Sequence, residues 1–412
     1  MNVSNSIDEK KRNPGELLFF ALFIPWIAFC FLCESTFAYK YFTDLGALYE
    51  LVKIILPMLI VSVKVLLLDK TDLLKKLALF SILALATAQC FTVTYSDDLI
   101  LCVILVVGAF GIDFKKILKV YLFETLLLVA FTTTAALTGL IPHIISHQRG
   151  VTRYSLGAIW CTDYAARIFF LILVALYLYS AKMKLYHWIG ILAAACAVFK
   201  FTFGKLDFAC MVIAIAVFFL HELIEKKDKE NKCRSFWDAM WEKLAPFFTP
   251  VAAAIMTILT LLYSSDNAIL SKINNAMSSR LSLGHRAFSE IGVTIFGQKV
   301  QWIGMGGVTN DVAPKGYNFV DCSYLNILFT FGILIAIAVI ALHSYMAYKH
   351  RKDLRFVIVI AMISLNCIIA HHFIEVAYNP FWAAFLAAPF CSFKSPIESE
   401  SDKVGVKEES DE

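Results

Sequence analysis

Long apolar stretches recur along this chain from near its beginning to near its end. About 20 consecutive apolar residues, wound as a helix, cross the ~30 Å hydrocarbon core of a lipid bilayer. Hydrophobic residues make up 59% of the 412-residue chain and charged residues only 17%, whereas soluble domains carry roughly 25% charged residues. The pattern therefore predicts an integral membrane protein that crosses the bilayer many times, and it excludes a soluble domain.

Twelve stretches are predicted to cross the membrane. All should be helices, because backbone polar groups in lipid must be satisfied within the segment. The fourth and the twelfth are short, and we expect each to be tilted or only partly inserted. The predicted spans are residues 17–38, 48–68, 77–94, 99–112, 118–140, 158–180, 186–203, 206–224, 246–264, 323–347, 356–376 and 379–393.

The Lys and Arg residues between these spans are concentrated in alternate connections, including 70–76, 115–119, 226–243 and 349–355. Cytoplasmic loops carry the excess of positive charge, so both termini are predicted to be cytoplasmic. The first span lacks a small-residue cleavage site and should persist as an anchor. The sequence thus predicts one membrane domain, residues 1–394, and a disordered acidic tail, 395–412. The net charge of +4 is too small to suggest nucleic-acid binding.

Two connections on the predicted outer side are long, residues 141–157 and 265–322. In the second, a large extracytoplasmic loop, apolar residues recur at helical spacing over 268–277 and 281–291. These segments predict two short amphipathic helices at the membrane surface, with Asp266 and Ser278 as N-caps and Gly292 as a C-terminal stop. The fold class is therefore all-α, a polytopic helical bundle with one large outer loop. No repeat relates the two halves, which argues against an inverted-repeat transporter.

Ionisable residues inside the predicted spans need partners. An arginine at mid-membrane costs at least ~2.5–3.5 kcal/mol. Asp163 precedes Arg167 by one helical turn, so a structural ion pair between them is favoured over a direct catalytic role. Lys53 and Lys64 lie near the ends of their span and are predicted to snorkel toward the interface.

A polar group closes the eleventh span and contains His371, His372 and Glu375. Adjacent residues on a helix point roughly 100° apart, so the two histidines are poor joint metal ligands and a polar rim is favoured over a metal site. The cysteines, most of them inside apolar runs, show no spacing typical of metal ligands and are interpreted as small hydrophobic residues.

Both long outer loops carry basic clusters, although outer loops of membrane proteins are poor in positive charge. Guanidinium groups bind phosphate bidentately, so these clusters suit an anionic lipid headgroup or a diphosphate. Scattered exposed arginines are the alternative. Asp321 precedes the tenth span and could act as a general base, although capping of that helix is favoured by the residues alone. The basic residues are Arg149 and Arg153 in the first loop, and Arg280, His285 and Arg286 in the second.

Three segments of the loops are distinctive, RGVTRYSLG at 149–157, SRLSLGHRAF with the following GVTIFGQ at 279–298, and YNFVDCSYL with FGI at 317–333. They resemble sequences of the Wzy-type polymerases of polysaccharide repeat units, especially those of Gram-positive capsules and exopolysaccharides. The resemblance covers nearly the whole chain through the helix count and the position of the large loop. It departs at Ser278-Ser279, where Ser-Gly is usual, at Cys322, where Asn is frequent, and at Gly204-Lys205, where many relatives have Ser-Arg.

The resemblance implies an enzyme that joins oligosaccharide repeat units carried on undecaprenyl diphosphate, with inversion at the anomeric carbon. It implies no nucleotide sugar, metal or other cofactor, and it places the reaction at the outer face of a bacterial plasma membrane. A flippase and a chain-length regulator are the expected protein partners. The related O-antigen ligases use a similar fold, so a glycan ligase is one alternative, and a polysaccharide transporter or flippase is another.

The resemblance also assigns residues. Arg153 and Arg280 are expected to hold the diphosphate, with Asp321 as the base or as the group that orients the acceptor. Further substrate contacts are expected from Arg149, His285, Arg286, Tyr324, Asn318, Gln298 and Lys205.

Overall fold

The computed structural model describes residues 13–148, 150–227, 232–308 and 312–389, and these ranges are mostly helical. Within them, nine helices are long and apolar enough to cross a membrane, namely all of those below except α4, α10, α11 and α13. The helices are α1 (Pro14–Cys33), α2 (Ala47–Leu68), α3 (Leu73–Thr94), α4 (Asp98–Gly108), α5 (Phe114–Leu137), α6 (Cys161–Lys182), α7 (Leu185–Thr202), α8 (Lys205–Lys226), α9 (Ser235–Leu261), α10 (Ala268–Ala276), α11 (Arg280–Glu290), α12 (Ser323–Lys349) and α13 (Leu354–Asn366).

The middle of the bundle is formed by α6 and α13. Helix α8 packs against α6, α7 and α13, and α9 packs against α12 and α13. Outer helices instead leave large apolar side chains uncovered, and Leu67, Leu74 and Leu85 are each more than 70% exposed. Such surfaces are stable in lipid and not in water, so the helices fit a multi-pass membrane protein.

The predicted count of twelve membrane helices is not confirmed. The stretch predicted as the twelfth, 379–393, contains only a six-residue 3₁₀ helix, Pro380–Phe385, and residues 390–393 lie outside the described ranges. Helix α13 also ends at Asn366, well before the predicted end of the eleventh span at residue 376. Protein surrounds the 3₁₀ segment, whose residues Pro380–Ala384 are buried. Backbone that is buried inside protein, away from lipid, does not need to be α-helical.

The prediction that Lys53 and Lys64 snorkel to the interface is wrong. Both side chains are buried, with exposed fractions of 5% and 1%. Lys53 Nζ lies 2.6 Å from Asp97 Oδ2, and Lys64 Nζ lies 2.8 Å from both Asp69 Oδ2 and the carbonyl oxygen of Phe110. Each ammonium group therefore has a carboxylate from a neighbouring connection, which offsets the cost of burying it.

The large loop contains the two predicted short helices, α10 and α11, but their capping differs from the prediction. Asn267, not Asp266, caps α10, because its side chain accepts hydrogen bonds from the backbone of the first turn. Helix α11 begins after Ser279 rather than Ser278, and neither serine makes a capping hydrogen bond. Its end follows the prediction, since Gly292 adopts a positive φ of 73° directly after the last turn.

The loop segment after α11 packs against a break in α12. Gly332 interrupts the helix with φ 82°, and the freed N–H groups of Ile333 and Leu334 donate to Thr294 and Ile295 of the loop. A Cβ atom on Gly332 would lie 2.3 Å from the backbone nitrogen of Gly297, so only glycine allows this approach. The loop thus satisfies the backbone of the broken helix and is fixed to the bundle.

Replacing Gly332 with alanine is expected to lower the free energy of unfolding by about 2 kcal/mol, because the new methyl group meets backbone and the backbone angle disfavours any Cβ. Thermal unfolding of the purified protein in detergent would measure the loss. Gly190→Ala is the matched control, since Gly190 lies in α7 and a methyl group there would meet no atom within 4 Å. Equal melting temperatures for the two variants would contradict this account.

Candidate active site

A cavity of about 740 Å³ opens at the end of the bundle where α6, α8 and α12 begin. Its volume is in the range typical of small-molecule sites, roughly 300–1,000 Å³. Segments far apart in the chain form its wall, among them both long connections that the sequence predicts to be functional. The predicted site residues in the wall are Arg153, Lys205, Arg280 and Asp321, joined by Glu34, Asp163, Asp207, Trp302, Tyr317, His371, His372 and Glu375.

Arg280 is the first residue of α11 and is held in place on three sides. Its Nε donates to the carbonyl oxygen of Ile369 at 2.7 Å, Nη1 donates to that of Met277 at 3.1 Å, and Nη2 lies 3.3 Å from Asp321 Oδ2. A guanidinium group has five N–H donors. The contacts of the described residues use three of them, so two are left for a ligand. With 8% of the residue exposed, Arg280 presents a fixed positive charge to the cavity.

The turn before Arg280 has an uncommon backbone conformation. Ser278 and Ser279 both adopt left-handed conformations, with φ of 54° and 69°. Such φ values favour glycine, so the two serines adopt this turn at some conformational cost. Asn274 of α10 compensates for the missing cap, since its side-chain oxygen accepts from the Ser282 N–H at 3.0 Å.

Arg153 reaches the cavity from a two-stranded antiparallel hairpin, β1 (Ile145–Gln148) and β2 (Val151–Tyr154), which the all-α prediction did not include. Its Nε donates to the carbonyl oxygen of Thr202 at 2.9 Å, and its guanidinium carbon lies 5.9 Å from the centre of the Trp160 ring. Thr202 ends α7, where helix carbonyl groups carry partial negative charge. The hairpin thus places a second arginine at the same cavity as Arg280.

Asp321 lies in the cavity wall and does not cap α12. The capping position belongs to Cys322, which makes no side-chain cap hydrogen bond. The Asp321 side chain is 30% exposed and pairs through Oδ2 with Arg280. The capping interpretation favoured by the residues alone is therefore wrong. Nearby Tyr317 is a hydrogen-bond donor rather than a base, because burial raises the pKa of its phenol to about 12.

Lys205 and Asp207 enter the cavity together from the start of α8. The Lys205 ammonium lies 5.2 Å from the centre of the Phe203 ring, and Asp207 is almost fully buried. Sequence reasoning selected Lys205 through the family pattern but missed Asp207. The available signal in the sequence was its position, directly before the uniformly apolar run 208–220.

The predicted ion pair between Asp163 and Arg167 is not formed. Arg167 is stacked between the rings of Phe31 and Tyr378, at 3.8 and 4.4 Å, and its Nη2 lies 3.7 Å from Glu34 Oε2. Helix α1 ends one residue before Glu34 and brings this acid to the arginine. Asp163 instead faces the imidazole of His372, with Oδ1 3.9 Å from Nε2.

His371, His372 and Glu375 line the cavity, in agreement with the predicted polar rim. Contrary to the prediction, the two histidines do not lie on a helix, because α13 ends at Asn366 and the following residues form turns. The two imidazole rings consequently lie side by side, with centres 4.0 Å apart, rather than diverging.

Five of the remaining predicted substrate contacts lie away from the cavity lining. Tyr324 is buried and donates to the Ser364 carbonyl oxygen at 2.8 Å, and Gln298 donates to the carbonyl oxygen of Gly292 at 3.1 Å. Asn318 joins two parts of the large loop, through Gln301 and Ile303.

The other two are the basic residues of α11. His285 Nδ1 lies 3.0 Å from the Thr260 carbonyl oxygen, and the half-exposed Arg286 contacts the Tyr317 carbonyl and Glu290. All five hold the scaffold together. Arg149 lies outside the described residues.

The cavity therefore combines fixed guanidinium and ammonium groups with carboxylates and imidazoles, at one end of an apolar helical bundle. The cations can hold a phosphate or diphosphate, and the carboxylates can take a proton from a hydroxyl group. No protein-family model, curated protein or solved structure matches this chain.

Proposed function

We propose that this chain is a membrane glycosyltransferase that joins undecaprenyl-diphosphate-linked oligosaccharide repeat units into a surface polysaccharide, either a capsule or an exopolysaccharide. The observation that carries the proposal is the convergence of Arg153, Lys205 and Arg280 on the cavity that also contains Asp321. Three cations from separate segments suit a lipid-linked diphosphate, and the acid in the same cavity suits the activation of a sugar hydroxyl.

In the proposed reaction, a hydroxyl oxygen of the incoming repeat unit attacks the anomeric carbon of the growing chain. The bond from that carbon to the diphosphate oxygen breaks, and its electron pair leaves with the lipid diphosphate. Asp321 accepts the hydroxyl proton, while Arg153 and Arg280 stabilise the charge that develops on the leaving oxygen. No step of this reaction requires a metal or a nucleotide sugar.

The proposal includes a topology. The cavity faces outward across a bacterial plasma membrane, both termini are cytoplasmic, and the bundle crosses the membrane twelve times. The concentration of Lys and Arg in the connections at the other end of the bundle supports this topology. The buried segment around Pro380–Phe385 would supply the twelfth crossing without an α-helix. A flippase would deliver the substrate and a chain-length regulator would act on the product.

The test is a reaction of the purified protein in detergent with one lipid-linked repeat unit as its sole substrate. A ladder of products that grows by one repeat unit per step is the expected result. Transfer of preformed glycan to another acceptor, without a ladder, would indicate a ligase. Movement of the labelled lipid across vesicle membranes without any extension would indicate a transporter. Either of the last two results would replace the proposal.

A further inference from the structure

One wall of the cavity gathers potential metal ligands from two distant segments. Asp163 lies in the first turn of α6, and His371 and His372 follow α13. Each offers one ligand atom, and these atoms lie within 4.8 Å of one another. Two imidazole nitrogens with one carboxylate oxygen are a donor set that Zn²⁺, Mn²⁺ and Co²⁺ accept.

The histidines are oriented before any ligand binds. Glu375 Oε2 lies 2.7 Å from His372 Nδ1, and Glu375 Oε1 lies 3.5 Å from His371 Nε2. A carboxylate on one ring nitrogen is the arrangement that fixes metal-binding histidines and leaves the other nitrogen for the metal. The His372 ring is further held by stacking on Tyr378, with ring centres 3.8 Å apart.

Nε2 of His372 consequently points at Asp163, yet the 3.9 Å separation is too long for a hydrogen bond. The residue is only 3% exposed, so its imidazole is buried with this nitrogen aimed at the cluster. A cation between the nitrogen and the carboxylate would satisfy both, after the ligand atoms move closer to it.

The composition of the lining also suits a cation. Among the described residues, the cavity wall has five acids and three basic residues. The acids are Glu34, Asp163, Asp207, Asp321 and Glu375, and the basic residues are Arg153, Lys205 and Arg280. Carboxyl groups that release their protons to a bound divalent cation would offset its charge in this partly enclosed space.

We propose that Asp163, His371 and His372 bind one divalent transition-metal ion, with Glu375 orienting the two imidazoles. The open coordination positions face the cavity, where a water molecule or a phosphate oxygen completes the shell. The site departs from the metal-free reaction that the family resemblance implies. The proposal concerns metal binding alone and does not rest on the proposed glycosyl transfer.

Cobalt binding tests the proposal directly. The full-length protein is purified in detergent, stripped with a chelator and dialysed against Co²⁺, and bound metal is measured together with the visible absorption of the complex. One Co²⁺ per chain is expected. His372→Ala and Asp163→Asn should weaken binding by at least about 100-fold, and Glu375→Gln by roughly 10–100-fold, as for partners of metal-bound histidines.

His147→Ala is the matched control, because this histidine lies exposed on the β1–β2 hairpin and should leave Co²⁺ affinity unchanged. Failure of the wild-type protein to bind Co²⁺ at millimolar concentration would overturn the proposal, and so would equal binding by wild type and all three cluster variants. If the variants do not fold, X-ray absorption of the wild-type Co²⁺ complex decides, since a spectrum without imidazole ligands also overturns it.

Discussion

Replacing Arg280 with alanine is expected to abolish polymer formation while leaving the protein folded in the membrane. Removing one fixed donor from the site of developing negative charge typically lowers kcat by about 10²–10³. Arg280 has the geometry for this role, because three contacts hold its guanidinium at the cavity and, among the contacts of the described residues, two of its five donors are left. The rate of repeat-unit addition by the purified enzyme, at saturating lipid-linked substrate, measures the effect.

Three further arginine variants make the experiment specific. Arg280→Lys keeps the charge but loses the planar fork, so it should restore only a small part of the rate. Arg286→Ala should reduce the rate by less than about tenfold, because this half-exposed side chain contacts the loop carbonyl of Tyr317 instead of the cavity. Arg351→Ala, at the far end of α12, controls for the loss of an arginine.

A normal polymer from Arg280→Ala would remove the diphosphate-binding role of this residue. If activity falls only in proportion to the amount of folded protein, with a lower melting temperature and an unchanged rate per folded molecule, Arg280 belongs to the scaffold instead. Its contacts to Ile369 and Asp321 make that comparison necessary.

The long apolar runs predicted most of the bundle, because their length and hydropathy follow from the thickness of the bilayer. The same rule failed to predict the form of the stretch 379–393, whose described residues 380–384 lie in a 3₁₀ helix that is buried by protein instead of lipid. Hydropathy does not distinguish these two apolar surroundings. It failed again at Lys53 and Lys64, whose carboxylate partners become visible only once the connections are folded.

The site was predictable in residue type more than in geometry. Basic residues in the loops predicted to be outer pointed to Arg153 and Arg280, but no spacing rule shows that a hairpin and α11 meet at one cavity. Contacts between distant segments depend on packing, which local periodicity does not encode. For the same reason, the sequence predicts His371 and His372 as neighbours on a helix, which they are not. It also does not show that Gly297 and Gln298 pack against α12.

Replacing Asp321 with asparagine should remove turnover and preserve the fold. General-base catalysis contributes about 10²–10⁴ to a rate, and asparagine cannot accept the proton. The amide has the same size and still offers an oxygen to Arg280 Nη2, which lies 3.3 Å from the carboxylate. The loss should therefore appear in kcat without a change in melting temperature. Asp266→Asn, an exposed acid of the same loop, is the matched control.

The alternative role of Asp321, to orient Arg280, gives a different result. An asparagine that still accepts the hydrogen bond would preserve that orientation, and the rate would fall by less than about tenfold, in the range of one neutral hydrogen bond. The pH profile separates the roles further, because a base shows a falling rate as its carboxylate is protonated, and the asparagine variant should lose that limb. A variant with full activity and the wild-type pH profile would leave Asp321 without a role in the chemistry.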